Sequence, residues 1–551
     1  MNFRTLLNLY ISIALNITTL NIFGQELKIT GDSIPNKKFY NWHNLDPKKN
    51  KIQGISTDRA YDELLKGKPM TRVIVAVIDG GVDIHHADLQ GKIWVNKYEI
   101  PGNGIDDDHN GYIDDVYGWN FIGGADGRNI EQETAEVTRL YNKYKEKFKG
   151  ADTTALSGTD LAEYMQYEKV KNKYFEKFNK AQMDYAALQY FTTAYRFSDS
   201  LVCQVLHKTE YTLKDIRGIN SEGNEKLTAV KKFLKKLLKK GFDGREYLKY
   251  KDDLSTRINY HYNTEFNPRS IVGDNPEVWN DSIYGNNDVA GNDPEHGTSV
   301  AGVIAADRHN NLGIKGIADS VKIMVIRAIP DGDERDKDVA NAIIYAVNNG
   351  AQILNLSFGK DFSPQKKFVD KALKLARSKG VLIVHASGND AENIDTVKFY
   401  PNNYDTTGIK IMDNWIEVGA SSQKLNKELP ANFSNYGKKN IDLFAPGVNI
   451  CSTAPGNKYD VNDGTSLAAP MVAGAAALLK SVYPSLTSSK IKEILLKSAL
   501  KYPELQVYLP DKESKNKVEV SFGLLSSTGG VLNIYAALQM AEQYVGSKAA
   551  K

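Results

Sequence analysis

The 551-residue chain reads as an α/β protein with a mostly parallel central sheet, plus a helical insertion. Three observations predict this. Short β-branched runs recur between helical stretches, the pattern of strands buried on both faces and crossed by helices. Two helices, one opening at His296 and one at Ser466, are built almost wholly of small residues, as helices buried on every side are. A block upstream of both, 127–276, changes instead to Lys-, Glu- and Tyr-rich sequence with helical spacing.

The N-terminus sets the compartment. Met1 to Arg4 gives a short positive start, residues 6–23 are mostly apolar, and Gly24-Gln25 follows. That is the layout of a secretory signal peptide over 1–24. Asn16, Thr18 and Thr19 interrupt the run and argue against a retained anchor. No second run is long enough to span a bilayer, so no stable membrane span is expected after signal cleavage, and the destination is periplasmic or extracellular. A formal charge of +3 gives no global sign of nucleic acid as a partner. Cys203 and Cys451 either pair or stay as free thiols; spacing does not decide between them. Oligomeric state is not written in the sequence.

After the signal peptide comes an N-terminal extension, 25–54, largely polar, with a short helix expected over 58–65. The α/β domain is expected over 55–126 and 277–546. Its first strand is 72–78, ending in Asp79-Gly80-Gly81. A carboxylate at the carboxyl end of a buried strand sits where open α/β sheets keep their chemistry, although a turn-forming Asp would look the same. Then comes Asp106-Asp107-Asp108-His109-Asn110-Gly111-Tyr112-Ile113-Asp114. Oxygen-bearing residues at alternate positions with a glycine at the bend suit a hard cation such as Ca²⁺. The expected ligands are Asp106, Asp108, Asn110, the Tyr112 carbonyl and Asp114. The bidentate Glu of a full EF-hand is missing, because its place falls on Tyr117. An acidic surface turn is the alternative.

Within 127–276, helices are expected over 134–148, 160–195 and 226–240, with Tyr164, Tyr167, Tyr174 and Phe178 packing helix on helix. The Lys-rich 231–240 run is read as a solvated face. Strands then follow at 322–327, 352–357, 381–386, 415–420 and 440–444, with helices at 338–348 and 364–379 and a closing helix at 530–544. In Gly464-Thr465-Ser466-Leu467-Ala468-Ala469-Pro470 the serine opens a helix, and Pro470 is placed in its first turn, where a missing N–H is tolerated. Free N–H groups there would face a developing oxyanion; alone, Ser466 could equally be an N-cap.

Asp79, His296 and Ser466 thus stand at element ends in one sheet. A serine hydroxyl needs a base, and the base needs a group to hold its tautomer and compensate its charge. The order Asp, His, Ser excludes an α/β-hydrolase, whose histidine follows its serine, because no histidine follows His385. Zinc-peptidase His-Glu-x-x-His motifs are absent too.

The pieces Val77-Ile78-Asp79-Gly80-Gly81-Val82-Asp83, His296-Gly297-Thr298-Ser299-Val300-Ala301-Gly302 and Gly464 to Pro470 resemble the subtilisin-like serine peptidases, the subtilase family (peptidase S8). So do Asn355-Leu356-Ser357-Phe358-Gly359, Ala386-Ser387-Gly388-Asn389, Phe433-Ser434-Asn435-Tyr436-Gly437 and Ala445-Pro446-Gly447, in the family's order. The resemblance implies a subtilisin-like three-layer fold and a secreted endopeptidase acting on protein or peptide substrates, with structural Ca²⁺ and no organic cofactor. By motif position, Asp79 orients the base, His296 is general base and acid, Ser466 is the nucleophile and Asn389 the oxyanion donor. Ser357, Phe358 and Gly359 match the edge that pairs with substrate backbone, and the uncharged surroundings favour an apolar P1 residue. His86, in His86-Ala87-Asp88-Leu89, resembles a structural histidine, and Asp88 is a candidate cation ligand. The chain departs from the family at Gly80, where Ser or Thr is usual, and in lacking a segment of the usual pro-domain's size ahead of the first strand. A catalytically silent scaffold and a narrow processing enzyme are the rival readings.

Overall fold

The computed structural model describes residues 36–240, 242, 244–279, 283–512 and 517–549. The expected signal peptide, 1–24, and the first part of the 25–54 extension lie outside them.

Alternation along one strand sets up the layers. Strand β1, Val73–Asp79, is buried along nearly its whole length. Val73, Val75 and Val77 enter one hydrophobic cluster, while Ala76 and Ile78 enter another. Successive side chains point to opposite faces, so an all-apolar run needs cover on both sides. The first cluster is capped by the helices Glu295–Ala305 and Thr465–Val482, the second by Asp336–Asn348 and Lys366–Ser378.

Eight further strands join β1: β2 (Gly118–Asn120), β3 (Val321–Arg327), β4 (Ile353–Leu356), β5 (Leu382–Ala386), β6 (Trp415–Ser421), β7 (Leu443–Pro446), β10 (Leu500–Lys501) and β13 (Gly530–Val531). The strands β8 (Ile450–Ala454) and β9 (Lys458–Asn462) form a separate hairpin, and β11 (Gln506–Tyr508) pairs with β12 (Glu519–Ser521). The nine-stranded order is β10-β13-β7-β6-β5-β4-β1-β3-β2. All neighbours run parallel except β10 with β13. This is the α/β, mostly parallel architecture the sequence predicts.

The chain divides into two compact units. One is formed by Ile34–Glu136 with Asn267–Lys551, and the other contains Val137–Phe266. The second is narrower than the expected 127–276 insertion. The reason lies at its downstream edge, where Arg269 binds Asp338 through both guanidinium ends, at 2.7 and 2.8 Å, and Asp274 accepts from Lys337 at 2.7 Å. Those ion pairs bind 269–274 into the sheet-bearing unit. The polar-looking segment before β1 belongs there as well: Trp42 is 1% exposed and donates to the Asn449 carbonyl at 2.8 Å. The expected 58–65 helix is one α-turn, Thr57–Ala60, followed by a π-turn, Tyr61–Leu65.

The helical unit is built on one long helix, Gly158–Leu206, with Leu213–Gly218, Glu225–Lys239 and Gly244–Thr256. Tyr141, Tyr174 and Phe178 stack at 4.4 and 5.7 Å, both nearly parallel. Phe233, Leu234 and Leu237 are buried with Val202 and Tyr247, and the lysines between them, Lys235 and Lys236, are half-buried.

Pro470 is not in the first turn. The helix runs Thr465–Val482, so Pro470 is its sixth residue. Its missing N–H leaves the carbonyl four residues back, that of Ser466, without an intrahelical donor. Ser357 Oγ fills the gap, donating to the Ser466 carbonyl at 2.8 Å.

Candidate active site

Asp79 ends β1 with its side chain 4% exposed. Its backbone carbonyl accepts from Ala328 N–H at 3.0 Å and Ile329 N–H at 3.2 Å, which pins the strand end. Gly80 N–H donates to Asp79 Oδ1 at 2.8 Å, and Arg327 Nε donates to the Gly80 carbonyl at 2.6 Å. These contacts supply the support that a side chain at position 80 was expected to give. A Cβ on Gly80 would lie 3.0 Å from the Ile329 carbonyl oxygen, so there is little room for one.

His296 is the second residue of Glu295–Ala305. Its Nδ1 lies 2.8 Å from Asp79 Oδ1 and 3.0 Å from Oδ2. The approach depends on Gly297, whose Cβ, if present, would sit 2.1 Å from the Gly81 carbonyl oxygen and 3.2 Å from Asp79 Cβ. An ionised carboxylate only accepts, so Nδ1 carries the hydrogen and Nε2 the lone pair. The His296 side chain is 51% exposed, open on one side to whatever enters.

Ser466 heads the Thr465–Val482 helix, which packs against Glu295–Ala305. Thr465 N–H and Oγ–H both donate to Asn389 Oδ1 at 2.9 Å. Holding the amide by its oxygen turns its nitrogen the other way. A Cβ on Gly464 would lie 2.8 Å from Ser466 Oγ and 3.7 Å from Asn389 Nδ2, so hydroxyl and amide flank one glycine. Thr465 N–H is spent on Asn389 and Leu467 N–H on the Gly464 carbonyl; the Ser466 N–H lies between them.

Ser357, Phe358 and Gly359 continue β4 toward this place. Ser357 Oγ accepts from Asn355 Nδ2 at 2.8 Å while donating to Ser466. The Phe399 ring lies against the far side: a Cβ on Gly359 would be 2.4 Å from it, and one on Gly388 2.9 Å. Phe399 carries no motif of its own and sequence reasoning passed over it.

In the acidic loop, Asp106 and Asp108 come together with Glu99, their oxygens all within 4.8 Å. Glu99 joins them from outside the loop's register, and its carboxylate also accepts from the N–H groups of Asp107, Asp108 and Asp114 at 2.9, 3.1 and 3.0 Å. Asp114 is placed otherwise. Its carboxylate accepts from Gly102 N–H at 2.7 Å, Asn103 N–H at 3.2 Å and Gly104 N–H at 2.9 Å. Asn110 Oδ1 accepts from Tyr112 N–H at 2.8 Å, and the Tyr112 ring packs on Trp119 and Tyr345. The all-oxygen donor set of Glu99, Asp106 and Asp108 fits a hard cation. Asp88 is fully buried and its carboxylate accepts from Asn310, Ile314 and Tyr459. His86 lies beside it as a structural group, with Nδ1 accepting from Asp88 N–H. Cys203 and Cys451 are both free thiols, and burial pushes Cys451 up to about 12. A cavity of about 570 Å³, lined by Tyr400, Trp415, Glu417 and Lys492 among others, holds none of the four residues around Ser466.

The subtilase family profile matches residues 71–524. The chain belongs to the subtilase family of serine peptidases. It is 42% identical over 187 residues to a thermophilic serine proteinase of Bacillus sp. (strain AK1), covering 34% of this chain and 42% of that one. It is 38% identical over 214 residues to subtilisin BL of Lederbergia lenta, covering 39% of this chain and 73% of that one. Among solved structures, a chain from the subtilase cytotoxin SubAB assembly aligns at 27% identity with a TM-score of 0.39, over 47% of this chain and 80% of that one. The subtilase spans less than half the length of the first relative and about three quarters of the second.

Proposed function

We propose that this subtilase is a secreted serine endopeptidase that cleaves protein or peptide substrates through Asp79, His296 and Ser466. The observation that carries the reading is the His296–Asp79 contact at 2.8 Å, on a helix that packs against the one headed by Ser466. Ser466 Oγ attacks the peptide carbonyl while His296 Nε2 takes its proton. Asp79 holds the ring's Nδ1–H and offsets the imidazolium charge. The oxyanion receives the Asn389 Nδ2–H and the Ser466 N–H. The proton then passes from Nε2 to the leaving amine, giving an acyl-enzyme. A water repeats the sequence, surrendering its proton to Nε2 and releasing the acid and Ser466.

Ser357, Phe358 and Gly359 take the substrate backbone as an added strand. Phe399, closing the space beside Gly359 and Gly388, restricts the P1 side chain to a small one, narrower than the apolar preference expected from composition. Glu99, Asp106 and Asp108 would hold Ca²⁺, which would supply rigidity to the loop. Secretion rests on the signal-like composition of residues 1–24.

A fluorophosphonate probe tests the nucleophile. Folded wild type should label and Ser466→Ala should not; a folded wild type that stays unlabelled at every concentration would sink the reading. N-terminal sequencing of protein recovered outside the cytoplasm tests the signal peptide, the expected start falling near Gln25.

A further inference from the structure

A second histidine–carboxylate pair lies within the sheet. His385 on β5 and Glu417 on β6 are register partners. Their side chains are 0% and 8% exposed, with Nδ1 2.7 Å from Oε1. Trp415 Nε1–H donates to Glu417 Oε2 at 2.8 Å. On its other side, His385 Nε2 lies 2.9 Å from the Phe358 carbonyl oxygen. A carbonyl only accepts, so Nε2 carries a hydrogen. Both ring nitrogens and both carboxylate oxygens therefore have partners.

The imidazole lies between two rings, tilted at 5.2 Å from Trp415 and 5.9 Å from Phe399, while Glu417 also lines the cavity that holds Lys492. A polar pair buried in this way is typically no more stabilising than hydrocarbon of the same volume, so stability alone gives little reason for it. What the pair does fix is a single peptide unit, that between Phe358 and Gly359.

We infer that His385, oriented by Glu417, is a positioning residue that holds the Phe358–Gly359 peptide in the attitude a substrate strand requires. The inference rests on the reading of Ser357, Phe358 and Gly359 as the substrate edge. A trans peptide is planar, with its C=O and N–H on opposite sides. Drawing the Phe358 oxygen toward His385 on β5 aims the Gly359 N–H to the opposite side, beyond the point where β1 ends at Asp79. An extended peptide pairing with this edge meets that N–H first. The preceding residue, Ser357, is fastened to the Ser466 carbonyl, and the following one, Lys360, donates its N–H to Tyr400 at 2.9 Å. The segment is thus tied at three successive points, and His385 supplies the middle one. A loosened middle tie should weaken the binding of long substrates and leave the acyl-transfer centre largely untouched.

The experiment compares a single-residue ester with a tetrapeptide amide of the same P1 residue, in wild type, His385→Leu and Glu417→Gln. The readout is the gain in kcat/KM from extending the substrate. His385→Leu keeps an apolar filling and removes the donor; Glu417→Gln keeps the imidazole and removes its charge partner. In His385→Leu the gain should shrink about tenfold, carried by KM, the usual worth of a buried hydrogen bond. Glu417→Gln should fall between wild type and His385→Leu. The ester should lose much less than the amide, and thermal melting identifies which variants are folded. An extension gain equal to wild type in either folded variant would overturn the inference while leaving the edge reading intact. A wild type that gains nothing from extension would overturn both together.

Discussion

Two histidine–carboxylate pairs of almost identical geometry sit in this subtilase, His296 with Asp79 at 2.8 Å and His385 with Glu417 at 2.7 Å. Their surroundings separate them. His296 is half exposed at the head of a helix, where an incoming molecule can reach the ring. His385 is fully buried and has given Nε2 to a backbone carbonyl. A ring open to solvent is able to meet a substrate and move a proton; a buried ring with both nitrogens on protein partners is able only to hold. Exposure, more than the carboxylate, decides which of the two a histidine does.

The sharpest way to break this comparison is Asp79→Asn. With the wrong tautomer favoured, kcat should fall about 10⁴-fold while the thermal midpoint stays close to wild type. A large loss of stability instead would make the two pairs alike. Glu417→Ala should show the reverse pattern. Breaking a buried pair by removing one partner costs about 3–5 kcal/mol of stability, read in chemical denaturation, while the folded fraction still labels with fluorophosphonate. A third kind of carboxylate grouping, Glu99 with Asp106 and Asp108, has no histidine and is proposed to take a cation. Ca²⁺ at a hundred times its Kd should add about 2.7 kcal/mol, seen as a higher melting temperature that chelator removes and Glu99→Gln blunts. Unchanged melting on chelation would leave the loop an acidic turn. Smallest is Phe399→Ala, which should favour a larger P1 residue by about 10–200-fold in kcat/KM per methylene accommodated. Peptide-library profiling reads that shift, and an unmoved P1 profile would remove Phe399 from the specificity wall.

What the sequence showed follows the range of the interactions involved. Strand β1 was legible because its alternation between two cores is written residue by residue, in Val73, Val75 and Val77 against Ala76 and Ile78. Asp79, His296, Ser466 and Asn389 stood out through local motifs, and the structure gathers Asp79 with His296 and Asn389 with the head of the Ser466 helix. Hidden features depend on partners distant in the chain. Glu99 reaches the acidic loop from outside its register. Trp42 is a core residue in a stretch whose composition is polar. His385 looks like an interruption in an apolar strand until Glu417 is placed beside it by strand pairing. Pro470 was put one turn too early, because a proline's tolerance depends on who serves the carbonyl it leaves behind, and that donor, Ser357, is over a hundred residues away.

That missing rung in the Thr465–Val482 helix has a dynamic consequence. An unbroken helix would satisfy the Ser466 carbonyl internally and leave the Ser357 hydroxyl to find another acceptor. Here the vacancy is what fastens the segment proposed to pair with substrate to the residue proposed to attack it. On the proposed mechanism, a displacement of the helix head would carry that segment with it, so that nucleophile and bound acyl group shift together.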